Sequence, residues 1–182
     1  MRSTKIFTLT LTALFTAIIC ILGPLTIPVG PIPLTLCNLS ILLAAYVLGP
    51  WWGTASVAIY ILLGVVGLPV FSAGGAGVAK VIGPTGGYIF GYLFLSLFTG
   101  LFVKKFKGNL IFSIVGMLIG LIVLYFFGTI WYIVVTNVDV KAAIGACVLP
   151  FLPGDAIKIV IALFVGSQLQ RRLPLLTKQI TS

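Results

Sequence analysis

Apolar residues run along this chain in blocks broken by proline, glycine and charge, with no alternation of apolar and polar positions. Six blocks stand out: about Lys5 to Leu22, Asn38 to Leu48, Thr54 to Val66, Tyr88 to Val103, Leu110 to Tyr132 and Asp155 to Leu169. Several reach the length at which a helix crosses a hydrocarbon core of about 30 Å, where the backbone has to satisfy its own hydrogen bonds. The pattern predicts an all-α integral membrane protein, one membrane domain over residues 1–182, with six transmembrane helices joined by long Gly/Pro-rich outer loops. The second block is short and ends at "LGPWWG", where Gly49-Pro50 predict a turn and Trp51-Trp52 suit a headgroup-level belt. The segments "GPLTIPVGPIPLTLC" and "GLPVFSAGGAGVAKVIGPTGG" lack the composition of regular helix, and the apolar residues within the second predict that it folds back on the protein.

Composition agrees with the blocks. With a mean hydropathy of +1.29, 60% hydrophobic and 7% charged residues, the chain has more apolar surface than a water-soluble core hides. The first block follows Arg2 and Lys5, as a secretory signal would. Its length, and the lack of an A-x-A site after it, predict a retained first helix. The net charge of +9 does not form one basic face, which argues against nucleic acid as a partner. With six spans, Arg2 and Lys5, then Lys104, Lys105 and Lys107, then Arg171, Arg172 and Lys178 fall on one side, which predicts a multi-pass protein of the cell membrane with both termini cytoplasmic. Lys80 and Lys141 break that rule on the outer side. The halves share no repeat, unlike many self-sufficient carriers.

Little in the chain supports catalysis. There is no histidine, and the two acids, Asp139 and Asp155, have no sequence reason to meet as an acid/base pair. Cys20, Cys37 and Cys147 lack paired spacing, so neither a metal site nor a disulfide is expected, and no cofactor is called for. "GPTGG" lacks the order of a phosphate loop and reads as a tight turn with close helix contact. The informative stretch is "LPFLPGDAIKIVIALFVG". After Pro153-Gly154, Asp155 is expected at the N-cap or in the first turn of the last span, with Lys158 three residues on along the same face. A carboxylate only accepts hydrogen bonds and an ammonium only donates them, so the pair suits a ligand group with both N–H and C=O, such as a cyclic urea or amide. Lys80 adds an outer cation for an anionic end, Tyr88 is placed to line a pocket, and Ala13 and Ala17 in "ALFTA" make a small-xxx-small pair for close helix approach.

In order along the chain, "PIPLTL", "LLAAYVLGP", "GLPVF", "GPTGGYIFGY" and "PFLPGDAIKI" resemble the BioY family, biotin-specific S components of energy-coupling factor transporters, from about Ala13 to Lys158. The resemblance implies a six-helix subunit that captures biotin at the outer face and works with a transmembrane coupling protein and two ATPase subunits. It implies that Asp155 and Lys158 meet the ureido head of biotin, Lys80 its valerate carboxylate, and Tyr88 the pocket wall, and that Ala13 and Ala17 contact the coupling protein. The chain departs from the family's usual Gln-Thr at Cys37-Asn38, which makes Asn38 a substitute head-group contact, and from a polar residue at Ser72-Ala73. Two other classes compete with this reading: a self-sufficient carrier in which Asp139 or Asp155 takes a proton, and a membrane scaffold that moves nothing.

Overall fold

The computed structural model describes residues 2–28 and 32–172; Lys178, one of the predicted topology signals, lies outside them. Helix α1 (Arg2–Leu22) opens the bundle. Thr12 and Thr16 bond back to the carbonyls of Thr8 and Thr12, and the Thr16 hydroxyl also reaches the Ser56 carbonyl at 3.3 Å. This buried face, with Phe15 and Ile19, seats α1 and leaves Ala13 and Ala17 exposed along its margin.

The loop after α1 holds a two-stranded antiparallel hairpin that the block pattern does not predict, β1 (Thr26–Ile27) and β2 (Leu34–Thr35), with Thr26 opposite Thr35. Prolines keep this segment out of helix, and short strand pairing satisfies its backbone groups instead.

Helix α2 (Cys37–Val66) contains the second and third predicted spans as one element broken at Gly49, whose φ of 77° and ψ of −174° are not helical. Gly53 lies so close to the first arm that a Cβ on it would fall 2.8 Å from the Ala45 Cα. In a straight helix, residues eight apart are separated by about 12 Å. The chain therefore reverses at Gly49, and Pro50 begins the return arm at a position where its missing N–H costs nothing. The first arm, residues 37–48, spans only about 18 Å, short of a full crossing. The six separate spans thus become five helices long and apolar enough to cross a membrane, among the described residues.

Residues 67–85 are not free of helix as their composition suggests. They form a single 3-10 turn at Ser72–Gly74 and a short helix α3 (Gly77–Ile82). Helices α4 (Gly86–Lys105) and α5 (Leu110–Thr136) then pack tightly, because Gly91 and Gly120 let Leu124 and Leu95 of the facing helix reach the backbone. Asn109 caps α5 by accepting from the Ile111 and Phe112 N–H groups. A short helix α6 (Val140–Cys147) follows, its N-terminus capped by Asp139, which accepts from the Lys141 N–H at 3.0 Å. Helix α7 (Leu152–Arg172) closes the chain, with Tyr46 packed on Gly166 and the Gln170 side chain donating to the Tyr46 carbonyl at 2.6 Å.

The bundle therefore has two unlike ends. One gathers the β-hairpin, the start of α2, residues 71–85 and the α6–α7 connection. The other gathers Lys104, Lys105, Lys107, Arg171 and Arg172, where Gly108 meets Gln170.

Candidate functional site

At the loop-rich end, a small cavity of about 30 Å³ sits between α2, α4, α5 and the loops of that end. Its walls are mostly rings and aliphatic groups, including Ile32, Phe71, Tyr92 and Phe151, with Thr35, Asn38, Ser72, Thr85 and Tyr125 as polar points. Asn38 stands in the first turn of α2, so a helix start carries its amide to the cavity wall.

Asp155 lies in the first turn of α7 rather than at its N-cap, because the helix begins at Leu152 and the Asp155 N–H already bonds the Phe151 carbonyl. Its side chain is buried, 2% exposed, as is that of Lys158 at 5%. The Lys158 Nζ donates to Asp155 Oδ1 at 2.7 Å, the i, i+3 pair expected from spacing. Two partners came from elsewhere in the chain. The Tyr125 hydroxyl on α5 donates to Asp155 Oδ2 at 2.5 Å, and Asn38 Nδ2 bridges both carboxylate oxygens at 3.3 and 3.4 Å.

A carboxylate only accepts, so it fixes the Asn38 amide with its NH₂ toward Asp155 and its carbonyl away. That carbonyl oxygen is buried without a hydrogen-bond partner, on a residue that lines the cavity. An orphan acceptor in such a place costs about 1–3 kcal/mol when left empty. The cluster thus offers a spare acceptor at Asn38, spare donors at Lys158 and zero net charge, which suits a neutral polar head carrying both N–H and C=O.

The remaining candidates fall in four different positions. Tyr88 lines the cavity as expected, its ring stacked near Phe151 with centroids 6.5 Å apart, and its hydroxyl donates to the Cys147 carbonyl at 2.8 Å. Lys80 does not line the cavity. It is half-buried on α3, its stem laid over Gly75, in the segment between the lining residues Ser72 and Thr85. Ala13 and Ala17 are far from the site, in an apolar surface groove with Trp52, Ile59 and Leu63. Asp139 is an exposed helix cap without a place in the cavity. No group of residues fit to hold a metal occurs among the described residues, and Cys20, Cys37 and Cys147 are all unpaired. Burial pushes the Cys147 thiol above its ordinary value, which keeps it in the inert neutral form.

"GPTGG" acts as a turn. The Trp131 indole N–H on α5 donates to the Gly83 carbonyl at 3.0 Å, and Gly86 and Gly87 pack against the same ring. Tyr125 is the residue that sequence reasoning missed. It is one aromatic among many in a uniformly apolar block, and only the facing of α5 onto α7 distinguishes it.

Comparison with known proteins decides the ancestry. The pattern of the BioY family matches residues 1–175. The chain belongs to the BioY family. It is 34% identical to the biotin transporter BioY2 of Lactococcus lactis subsp. cremoris over the whole length of both chains. It is also 37% identical to the biotin transporter BioY of Thermotoga maritima, over 87% of this chain and 92% of that one. A crystal structure of the S-component for biotin from an ECF-type ABC transporter superposes with a TM-score of 0.88 at 36% identity, covering 94% of each chain. The BioY fold thus accounts for the helix bundle, and the family is one of transport components, not of enzymes.

Proposed function

We propose that this protein captures biotin from the outer side of the cell membrane and is the S component of an energy-coupling factor importer, driven by ATPase partners through a transmembrane coupling protein. The observation that carries this reading is the neutral, hydrogen-bonding cluster of Asp155, Lys158, Asn38 and Tyr125, in which Asn38 and Tyr125 line a largely apolar cavity and Asp155 and Lys158 stand buried behind them. Biotin has the matching halves, a ureido ring and an apolar bicycle and chain. The ureido N–H groups donate to the Asn38 carbonyl and the Asp155 carboxylate, the ureido oxygen accepts from Lys158, and rings including Tyr88 hold the apolar part. Lys80, on the segment that passes the mouth, meets the valerate carboxylate.

The same reading orients the protein. The basic end with Lys104, Lys105, Lys107, Arg171 and Arg172 is cytoplasmic, both termini with it, and the cavity opens outward. The two arms of α2 run in opposite directions about Gly49, so α2 starts and ends at the loop-rich end and the chain enters and leaves at the basic end. The exposed stripe of Ala13 and Ala17 receives a helix of the coupling protein. A carrier that takes a proton on Asp139 has no support from its position as an exposed cap.

Equilibrium binding tests the proposal directly, with biotin, riboflavin and thiamine offered to the purified chain in lipid nanodiscs. Saturable binding of biotin alone is the expected result. Equal binding of all three, or binding of another vitamin in its place, overturns it.

A further inference from the structure

A second depression lies beside the ligand cavity, on the outer surface between α5 and α7. It is an apolar groove bordered by Leu118, Ile122, Leu152, Ala156 and Ile159, and Asp155 reaches its inner edge. Ile122 is 66% exposed and Leu152 49%, so the groove opens to the bilayer side of the bundle. Tyr125 borders both spaces, and among the described residues no other does so. It is thus the residue common to the walls of the cavity and the groove, and its hydroxyl is tied at 2.5 Å to Oδ2 of Asp155, which borders the groove from α7.

We propose that the Tyr125 ring is the partition between the ligand cavity and this side groove, and so the residue that limits the size of head group the cavity admits. The inference rests on the proposed seating of a ureido head beside Asp155. A head group with an apolar substituent on its ring nitrogen, pointing toward α5, runs into the Tyr125 ring. Removing the ring joins the cavity to the groove, which is apolar enough to accept such a substituent. Removing only the hydroxyl leaves the ring in place and frees it from Asp155.

Two measurements test this together. The first compares biotin with a biotin benzylated on a ureido nitrogen, for the unmodified chain, Tyr125→Phe and Tyr125→Ala. The unmodified chain is expected to favour biotin at least about 100-fold, a gap of about 2.7 kcal/mol. Tyr125→Phe keeps that preference, and Tyr125→Ala reduces it to below about 10-fold by gaining affinity for the benzylated ligand. Parallel losses for both ligands in Tyr125→Ala, or a benzylated ligand that already binds the unmodified chain like biotin, overturn the proposal. The second needs no ligand. With Cys20, Cys37 and Cys147 replaced by serine, Ala156→Cys is treated with a charged, membrane-impermeant thiol reagent in nanodiscs. Labelling that accelerates at least tenfold on adding Tyr125→Ala shows the partition even if biotin is not the ligand. Labelling unchanged by Tyr125→Ala refutes it.

Discussion

Asp155 is a buried carboxylate with three donors around it, and that sets the expected cost of losing it. Asp155→Ala leaves Lys158 as a buried cation without its counter-ion and releases Asn38 from its orientation. Biotin affinity is expected to fall by about 1–3 kcal/mol or more, roughly 5- to 150-fold, and a binding isotherm that matches the unmodified chain removes Asp155 from the site. At the other end of the ligand, Lys80→Ala is expected to weaken biotin several-fold but to leave biotin methyl ester unaffected, because the ester has no charge for the ammonium to meet. Equal losses for acid and ester, measured by competition, place Lys80 outside the mouth. The contact between Asp155 and Lys158 was legible in the sequence from their spacing of three residues on one helix. Tyr125 was not, since nothing local distinguishes a tyrosine that faces Asp155 from one that faces lipid.

Helices here owe their positions to the places where side chains are missing. Gly49 allows the reversal of α2, and Gly53 allows its two arms to touch. Asn38, at the start of one arm, and Tyr60, on the other, reach the same cavity only because of that fold. Gly53→Leu is expected to push the arms apart, destabilise the protein by about 1–3 kcal/mol and lower its thermal midpoint in detergent, with weaker biotin binding through displaced Asn38. An unchanged midpoint shows that the arms have room to spare. The turn itself was readable from Gly49-Pro50, and the lengths of the apolar blocks were close to those of the helices. The β-hairpin, α3 and the 3-10 turn were not readable, because two to six residues carry too little pattern to outweigh their proline and glycine content.

For the molecule as a whole, the question is what α1 offers to a partner. Its threonine hydroxyls are spent on carbonyls within the bundle, and Ala13 and Ala17 lie open in the groove beside Trp52 and Ile59. Ala13→Leu with Ala17→Leu is expected to leave biotin affinity unchanged while the coupling protein and ATPase subunits no longer co-purify; retained co-purification places the docking face elsewhere. The sequence by itself determined that the protein lives in a membrane, roughly where its long apolar helices lie, which end is basic and that Asp155 and Lys158 share a helix face. All of these follow from transfer free energies and short-range spacing, properties that a linear pattern carries. Only the tertiary structure decided that the second and third blocks form one folded element, that Asn38 and Tyr125 join Asp155 from 117 and 30 residues away, and that Lys80 stands beside the cavity rather than in it. Those outcomes depend on which helix faces pack together, and between chain-distant surfaces of nearly uniform hydrophobicity that choice is made by shape and by a few buried hydrogen bonds.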